Sequence, residues 1–147
     1  MASDRSSRRE LLQLGGVAGA ASILSGCAMF GSRQPDVVAP VQGNKVTLHQ
    51  AQSAQILSSE GSLLVEPKGF DDRIIVTHAR DGSLHATSAV CTHMGCTVLY
   101  DPKLGHIRCP CHGSQYDLDG HNLKGPAQRP LRQYGVANAG GLVVIAL

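Results

Sequence analysis

Two short segments of this 147-residue chain each bring a cysteine close to a histidine, and this feature constrains the fold more than any other. The pairs are Cys91 with His93 in the first segment and Cys109 with His112 in the second. Thiolate sulfur and neutral imidazole nitrogen together suit a transition metal such as zinc or iron. The fold is therefore expected to bring two loops together around a common centre.

Each segment also carries one further cysteine, Cys96 in the first and Cys111 in the second. A structural zinc site on the two Cys–His pairs would leave these two thiols without a role. The Cys-x-His spacing of the first pair also departs from the paired cysteines typical of zinc ribbons and fingers. A framework of disulfides alone would use all four cysteines but would not explain the paired histidines. From spacing alone, zinc and a disulfide framework stay open beside an iron–sulfur centre.

The composition and the local patterns favour an all-β fold. Aromatic residues make up only 3% of the chain, whereas there are 17 glycines and 7 prolines, which is typical of a turn-rich β protein. Hairpin turns are expected at Asp81-Gly82 and at Asp101-Pro102. Only residues 48–58 could form a short helical turn. The predicted strands lie at residues 46–48, 63–65, 73–77, 84–88, 97–100, 106–108 and 142–147.

The charges and the remaining polar residues exclude several classes of function. With 13 basic and 11 acidic residues, the net charge of +2 is too balanced for an electrostatic nucleic-acid binder. The acidic pairs at 71–72 and 117/119 read as turn residues, and no catalytic triad or phosphate-binding loop stands out as a motif. The other histidines also lack a motif; they are His49, His78, His85, His106 and His121.

The N-terminal segment resembles an export signal with a membrane anchor. Adjacent arginines at positions 8 and 9 precede a run without charge, as in twin-arginine signals. The sequence Leu24-Ser25-Gly26-Cys27 resembles a bacterial lipoprotein cleavage box, so residues 1–26 would be removed and Cys27 acylated. Alternatively, residues 11–32 carry no charge and could span a bilayer of about 30 Å as an uncleaved helix. Either way, the folded part is expected at the extracytoplasmic membrane surface of the bacterial cell envelope.

Residues 28–44 read as a linker between this anchor and the folded domain at 45–147. They contain Gly31, Pro35, Pro40 and Gly43 and show no periodicity. As a flexible chain, such a segment would span about 23 Å. That reach would let the domain move relative to the membrane.

The two Cys–His segments resemble the cluster loops of Rieske iron–sulfur proteins, most closely the high-potential subunit of cytochrome bc-type quinol oxidases. The resemblance rests on C-T-H-M-G-C at 91–96 followed by C-P-C-H-G-S-x-Y at 109–116. It implies one [2Fe-2S] Rieske cluster, with one iron bound by Cys91 and Cys109 and the other by His93 and His112. Two thiolates place less negative charge on the cluster than four would, which raises the reduction potential.

The resemblance also implies roles for residues around the cluster. Cys96 and Cys111 would form a disulfide between the two loops, a pair that low-potential Rieske ferredoxins and oxygenases usually lack. Ser114 and Tyr116 would donate hydrogen bonds to a cluster sulfide and a cysteine sulfur and so raise the potential. Residues 125–127 resemble the proline-containing loop that covers the cluster.

The fold implied by the resemblance is an antiparallel β base with a small cluster-binding subdomain inserted at 89–130. The implied function is a membrane-tethered one-electron carrier that passes electrons from quinol to a b- or c-type cytochrome. It would be an electron-transfer subunit of the quinol–cytochrome c reductase type, with His93 and His112 accepting the quinol proton. The alternatives are the small subunit of a periplasmic molybdenum oxidase of the arsenite oxidase type, and a non-catalytic lipoprotein held by zinc or disulfides.

Overall fold

The computed structural model describes residues 33–147 of the chain. The predicted signal at 1–26, the alternative anchor at 11–32 and the acylation site Cys27 lie outside the described residues. Within the described part, no helix is both long enough and apolar enough to cross a membrane.

Twelve strands and one short helix make up this part of the chain, which confirms the all-β fold class. Helix α1 covers Gln50–Leu57, and its Ile56 packs into the hydrophobic core. The strands are β1 Val37–Ala39, β2 Val41–Gln42, β3 Lys45–Thr47, β4 Gly61–Pro67, β5 Ile74–His78, β6 Leu84–Ser88, β7 Leu99–Asp101, β8 His106–Arg108, β9 Gln115–Tyr116, β10 Asn122–Lys124, β11 Gln133–Ala139 and β12 Leu142–Ala146.

Eight of these strands form one large sheet, in the order β1-β4-β5-β6-β11-β12-β3-β2. All neighbours are antiparallel except β1 and β4. The first residues of β11 pair with β6, and the rest of this strand pairs with β12. Side chains from widely separated strands, such as Val46, Val65 and Ile145, meet in one buried core. The large sheet therefore curls around that core.

The central strands β4 and β5 are buried on both faces, which explains their unbroken apolar sequences. Leu63 and Val65 face the core of the large sheet, whereas Leu64 between them faces a second buried cluster. On β5, Ile74 faces the core of the large sheet and Ile75 faces the second cluster. Since adjacent side chains on a strand point to opposite faces, such runs are expected where a sheet is covered on both sides.

The other four strands form a smaller sheet in the order β10-β9-β8-β7, and the chain builds it between β6 and β11. It packs on the outer face of the large sheet through the second buried cluster, where Ile107 and Leu131 join Leu64 and Ile75. The base-and-insertion architecture is as predicted. The strands of the smaller sheet lie within 99–124, and the outer bounds 89 and 130 stay a prediction.

The linker prediction for 28–44 is wrong over residues 37–42. Strand β1 runs parallel to β4, with Val37 and Ala39 buried, and β2 pairs with β3. Both strands are too short for a periodic pattern to stand out between the flanking prolines and glycines. Their pairing is set by partners far along the chain, which local sequence does not reveal.

Polar side-chain contacts also join the two sheets. The Tyr100 hydroxyl on β7 donates to Glu60 Oε1, just before β4, at 2.8 Å. His85 on β6 lies with Nδ1 2.9 Å from Asp119 Oδ1, which follows β9. These contacts fix the orientation of the smaller sheet on the larger one.

Candidate metal centre

Two loops at one end of the smaller sheet share the same backbone hydrogen-bond pattern. In the first, the Cys91 N–H donates to the Cys96 carbonyl at 2.8 Å, and the N–H of Gly95 returns to the Cys91 carbonyl. In the second, the Cys109 N–H donates to the Ser114 carbonyl, and the Gly113 N–H donates to the Cys109 carbonyl. Each loop therefore closes around a cysteine at its base.

A glycine makes this loop shape possible in each case. Gly95 has φ +74° and Gly113 has φ +79°, values in the left-handed region that other residues rarely adopt. Because the glycine turns the chain back, its N–H can reach the cysteine carbonyl four residues earlier. The same geometry recurs although the histidine comes two residues after Cys91 and three after Cys109.

A disulfide between Cys96 and Cys111 joins the two loops, as predicted. Among the described residues, Cys91 and Cys109 are the cysteines outside this bond, and each is only 2% exposed. The bond holds together a region that has few large aliphatic side chains of its own.

The imidazoles of His93 and His112 lie side by side, with ring centroids 4.8 Å apart and the ring planes nearly perpendicular. Both histidines are exposed, in contrast to the buried thiols of Cys91 and Cys109. The neighbouring Met94 is also exposed, at 68%. The structure therefore brings the four predicted ligand residues to one end of the molecule, with sulfur inside and nitrogen at the surface.

The two thiols have opposite pKa shifts. Burial raises the pKa of Cys91, but hydrogen bonds from the Tyr116 hydroxyl, the His93 N–H and the Cys109 thiol outweigh it, so that the pKa lies below its ordinary value. Burial raises the pKa of Cys109, and the neighbouring Cys91 sulfur raises it further. The buried pair therefore takes up one negative charge more readily than two.

Tyr116 is fully buried beneath the first loop. Its hydroxyl lies 3.3 Å from Cys91 Sγ and 3.2 Å from Thr92 Oγ1. Thr92 in turn donates its hydrogen to the Arg129 carbonyl at 2.6 Å, so Thr92 Oγ1 can only accept from Tyr116, and the Tyr116 hydroxyl shares its hydrogen between Thr92 Oγ1 and Cys91 Sγ. The hydroxyl thus lies beside a cysteine sulfur, and its role in raising the potential stays a prediction.

Ser114 is buried beneath the second loop and ties it to the segment that follows Pro126. Its Oγ accepts a hydrogen bond from the Ala127 N–H at 3.0 Å, so its own hydrogen remains free to donate. The carbonyl of Ala127 accepts from Asn122 Nδ2 at 3.1 Å. Residues 125–130 therefore connect to both loops, because Thr92 holds the same segment at Arg129.

The donor set fits an iron–sulfur centre better than a site built on the nearest group of sulfurs. The Sγ atoms of Cys96, Cys109 and Cys111 lie within 4.8 Å of one another, but two of them are in the disulfide and supply no thiolate. The remaining thiols, Cys91 and Cys109, are hydrogen-bonded to each other and buried. With the two imidazoles they form a set of two sulfurs and two nitrogens, as a Rieske cluster requires.

A second polar arrangement, missed by the sequence analysis, lies away from this centre. His85 stands between Asp119 and Ser83, with Nε2 2.8 Å from Ser83 Oγ. The Ser83 hydroxyl is only 2.6 Å from Asp81 Oδ1 and donates to that carboxylate. The serine is therefore committed to its own turn, and the arrangement is a link between the two sheets.

Comparison with known proteins agrees with this geometry. The family model for the Rieske [2Fe-2S] domain matches residues 47–135. The chain is 46% identical over 77 residues to the cytochrome b6-f complex iron-sulfur subunit of Chlorobaculum tepidum, covering 52% of this chain and 42% of that one. It is 44% identical over 82 residues to the chloroplastic subunit of the same name from Bigelowiella natans, covering 54% and 32%.

The chain thus spans less than half the length of these curated relatives. Among solved structures, it resembles the plasma membrane Rieske protein PetC3 of Synechocystis PCC 6803, with a TM-score of 0.54 and 31% identity. That match covers 59% of this chain and 87% of the other. Because the family model covers more than half of the sequence and the donor set agrees with it, the chain belongs to the Rieske [2Fe-2S] family, with one such cluster as its cofactor.

Proposed function

We propose that this protein is a membrane-tethered one-electron carrier that takes electrons from quinol and passes them to a b- or c-type cytochrome. The observation that supports this most directly is the asymmetry of the site, in which Cys91 and Cys109 are buried while His93 and His112 are exposed side by side. The curated relatives are subunits of cytochrome b6-f complexes, which supports a cytochrome partner.

In this proposal, Cys91 and Cys109 bind one iron of the cluster, and His93 and His112 bind the other. The cluster supplies the uptake and release of a single electron. Tyr116 and Ser114 donate hydrogen bonds towards the sulfur atoms, and Thr92 keeps residues 125–130 over the loops. These contacts exclude water from the sulfur side, so electrons enter and leave through the histidine edge.

The two imidazoles also give the site a place to hold a proton. Each ring has one nitrogen left over when the other binds iron, and both rings are exposed. The quinol hydroxyl donates a hydrogen bond to such a nitrogen, which then accepts the proton as the electron departs. Met94 provides an apolar surface beside the ring for the hydrocarbon part of the quinol.

A matched pair of substitutions tests the ligand assignment. His112→Cys replaces an imidazole by a thiolate at the proposed site, whereas His121→Cys makes the same change at an exposed histidine paired with Asp117. We expect the visible absorption and the reduced-state electron paramagnetic resonance spectrum to change in the first variant and to match the wild type in the second. An unchanged spectrum in His112→Cys removes this residue from the ligand set.

The quinol and proton parts of the proposal have their own measurement. The midpoint potential of the purified protein should fall as the pH rises above neutrality, because electron uptake that is accompanied by proton uptake becomes less favourable as protons become scarcer. Stopped-flow mixing of the oxidised protein with a soluble quinol should show reduction that quickens over the same pH range. A potential that stays flat between about pH 6 and 10 contradicts the proton role.

The tether is tested with the full chain expressed in a bacterial host. If Cys27 carries the anchor, Cys27→Ala should move the protein from the membrane to the soluble fraction, with loss of the lipid mass. Cys96→Ala/Cys111→Ala is the matched control, since it removes cysteines without touching the N-terminal segment. Membrane retention of Cys27→Ala would instead support residues 11–32 as a spanning anchor.

A further inference from the structure

Three sulfur atoms meet at the base of the two loops. The Sγ atoms of Cys96, Cys109 and Cys111 all lie within 4.8 Å of one another. Two of them form the disulfide, and the third belongs to a thiol. A thiolate can attack a neighbouring disulfide through a mixed-disulfide step, and access is the main geometric requirement.

We propose that Cys109 attacks the Cys96–Cys111 disulfide when the chain holds no iron, and that the product is a Cys96–Cys109 disulfide. This inference rests on the proposed function, in which Cys109 is a cluster ligand. A sulfur bonded to iron is not available as an attacking thiolate, so the loaded protein keeps the Cys96–Cys111 bond. The pattern of sulfur bonds therefore depends on whether the cluster is present.

The exchange needs no external oxidant or reductant. The Cys109 thiol loses its proton as its sulfur bonds to Cys96 Sγ, the bond between Cys96 and Cys111 breaks, and Cys111 leaves as a thiolate that takes up a proton. One disulfide and two thiols are present before and after, so the electron count is unchanged. The two remaining thiols are Cys91 and Cys111.

The position of the residues favours attack on Cys96 over attack on Cys111. Cys109 and Cys111 are separated only by Pro110, so a bond between them would close a very small ring around a residue with fixed φ. Cys96 lies on the other loop, and a bond from it to Cys109 still joins the two loops. The exchanged form therefore keeps a loop-to-loop link while it uses up one of the four proposed ligands.

The exchanged chain therefore cannot take up a cluster until the Cys96–Cys109 bond is reversed. It also changes which thiol is accessible. Cys91 and Cys109 are each 2% exposed, whereas Cys111 is partly exposed. After exchange, an alkylating reagent should reach Cys111 in the folded protein, which it cannot modify while the native disulfide is present.

The test uses the full chain with Cys27→Ala, so that only the four cysteines of the loops remain. The loaded protein is compared with the same protein after iron removal by acid and chelator. Samples are then unfolded at acidic pH in excess N-ethylmaleimide, which blocks thiols before they can scramble, and the disulfide-linked peptides are identified by mass spectrometry. We expect only Cys96–Cys111 in the loaded protein and the appearance of Cys96–Cys109 after iron removal.

Two substitutions form a matched control, since each removes one proposed iron ligand. Cys91→Ser should prevent cluster binding but retain the attacking sulfur, so Cys96–Cys109 should form. Cys109→Ser should prevent cluster binding and keep only Cys96–Cys111. Rearranged bonds in Cys109→Ser, or none in the iron-free parent, overturn the proposal.

Two further outcomes are equally decisive. If the iron-free protein has simply unfolded, bonds from Cys91 to Cys96 and to Cys111 should be as abundant as Cys96–Cys109, and that result contradicts a directed exchange. Rearranged bonds in the loaded protein contradict protection by iron. Failure of the proposed function is seen separately, because a protein purified without visible absorbance lacks the cluster whatever its disulfide pattern.

Discussion

The large sheet and the cluster loops are stabilised by different kinds of interaction. The core of the large sheet is built mainly from aliphatic side chains, among them Val46, Val65, Ile74 and Ile145, all fully buried. The loops bury two thiols and Tyr116 in their place and depend on a disulfide and on side-chain hydrogen bonds. The base is therefore a support that folds by hydrophobic burial, whereas the loops are held by specific bonds around the metal centre.

The largest effect is expected from Cys91→Ser. Since serine does not replace a thiolate as an iron ligand, the visible absorbance of the purified protein should be lost completely. The far-ultraviolet circular dichroism should keep the signal of the large sheet, because no side chain in the core of that sheet has changed. Loss of both signals together would show that the base needs the cluster in order to fold.

The complementary change is Ile74→Ala in the base. Removal of a fully buried isoleucine should lower the free energy of unfolding by about 2–5 kcal/mol, measured by urea denaturation. The midpoint potential and the absorption spectrum of the folded protein should match the wild type. A shifted potential would mean that packing in the base reaches the cluster loops.

Removal of the disulfide in Cys96→Ala/Cys111→Ala should lower the free energy of unfolding by about 3 kcal/mol, because the bond closes a loop with a sequence separation of 15 residues. The loss should be confined to the loops. Hydrogen exchange should quicken at the amides of Cys91 and Cys109, which donate to loop carbonyls, but not at Leu48, whose N–H donates to Val143 in the base. Equal acceleration at Leu48 would contradict a local effect.

A smaller effect is expected from Tyr116→Phe, which removes the hydroxyl beside Cys91 Sγ. A hydrogen bond of about 1 kcal/mol that favours the more negative reduced state corresponds to a fall of roughly 40 mV in the midpoint potential. Tyr100→Phe is the control, because its hydroxyl contacts Glu60 and not the cluster loops. An unchanged potential in Tyr116→Phe would exclude this hydroxyl as a tuning group.

The smallest effect concerns the contact between the two sheets. Burial and the hydrogen bond to Glu60 raise the pKa of Tyr100 to about 12 from its ordinary value of 10.0. The folded state therefore binds more protons between about pH 10 and 12, and the stabilisation present below pH 10 is lost as the pH rises through this range. Tyr100→Phe should lower stability by about 1 kcal/mol at neutral pH. It should also flatten the alkaline decline in unfolding free energy relative to the wild type.

Local sequence predicts best the parts of the fold in which each strand carries its own signal. The hairpin between β5 and β6 follows from Asp81-Gly82, and its two strands follow from residues 73–77 and 84–88. Strand β11 was missed, because Gly135 and Asn138 lower its strand propensity and much of it is exposed. Its place is set by pairing with β6 on one side and β12 on the other.

In the candidate site, too, the features that belong to a motif were predicted and the contacts between distant residues were not. The resemblance to Rieske proteins implied the disulfide between Cys96 and Cys111, which the structure contains. It did not reveal that Thr92 anchors the Arg129 carbonyl, because that contact joins residues 37 positions apart. The link from His85 to Asp119 was also missed, because it joins residues 34 positions apart and neither residue belongs to a motif.

The burial of both thiols beneath two exposed imidazoles has a consequence for the order in which electron-transfer partners would bind. Under the proposed function, the donor and the acceptor would both dock at the histidine edge of the described residues, so the two encounters would alternate. The time needed to release one partner and bind the other would then contribute to the turnover time. A tether of the proposed kind would have to be long enough for both encounters, so its length would affect the rate of electron transfer.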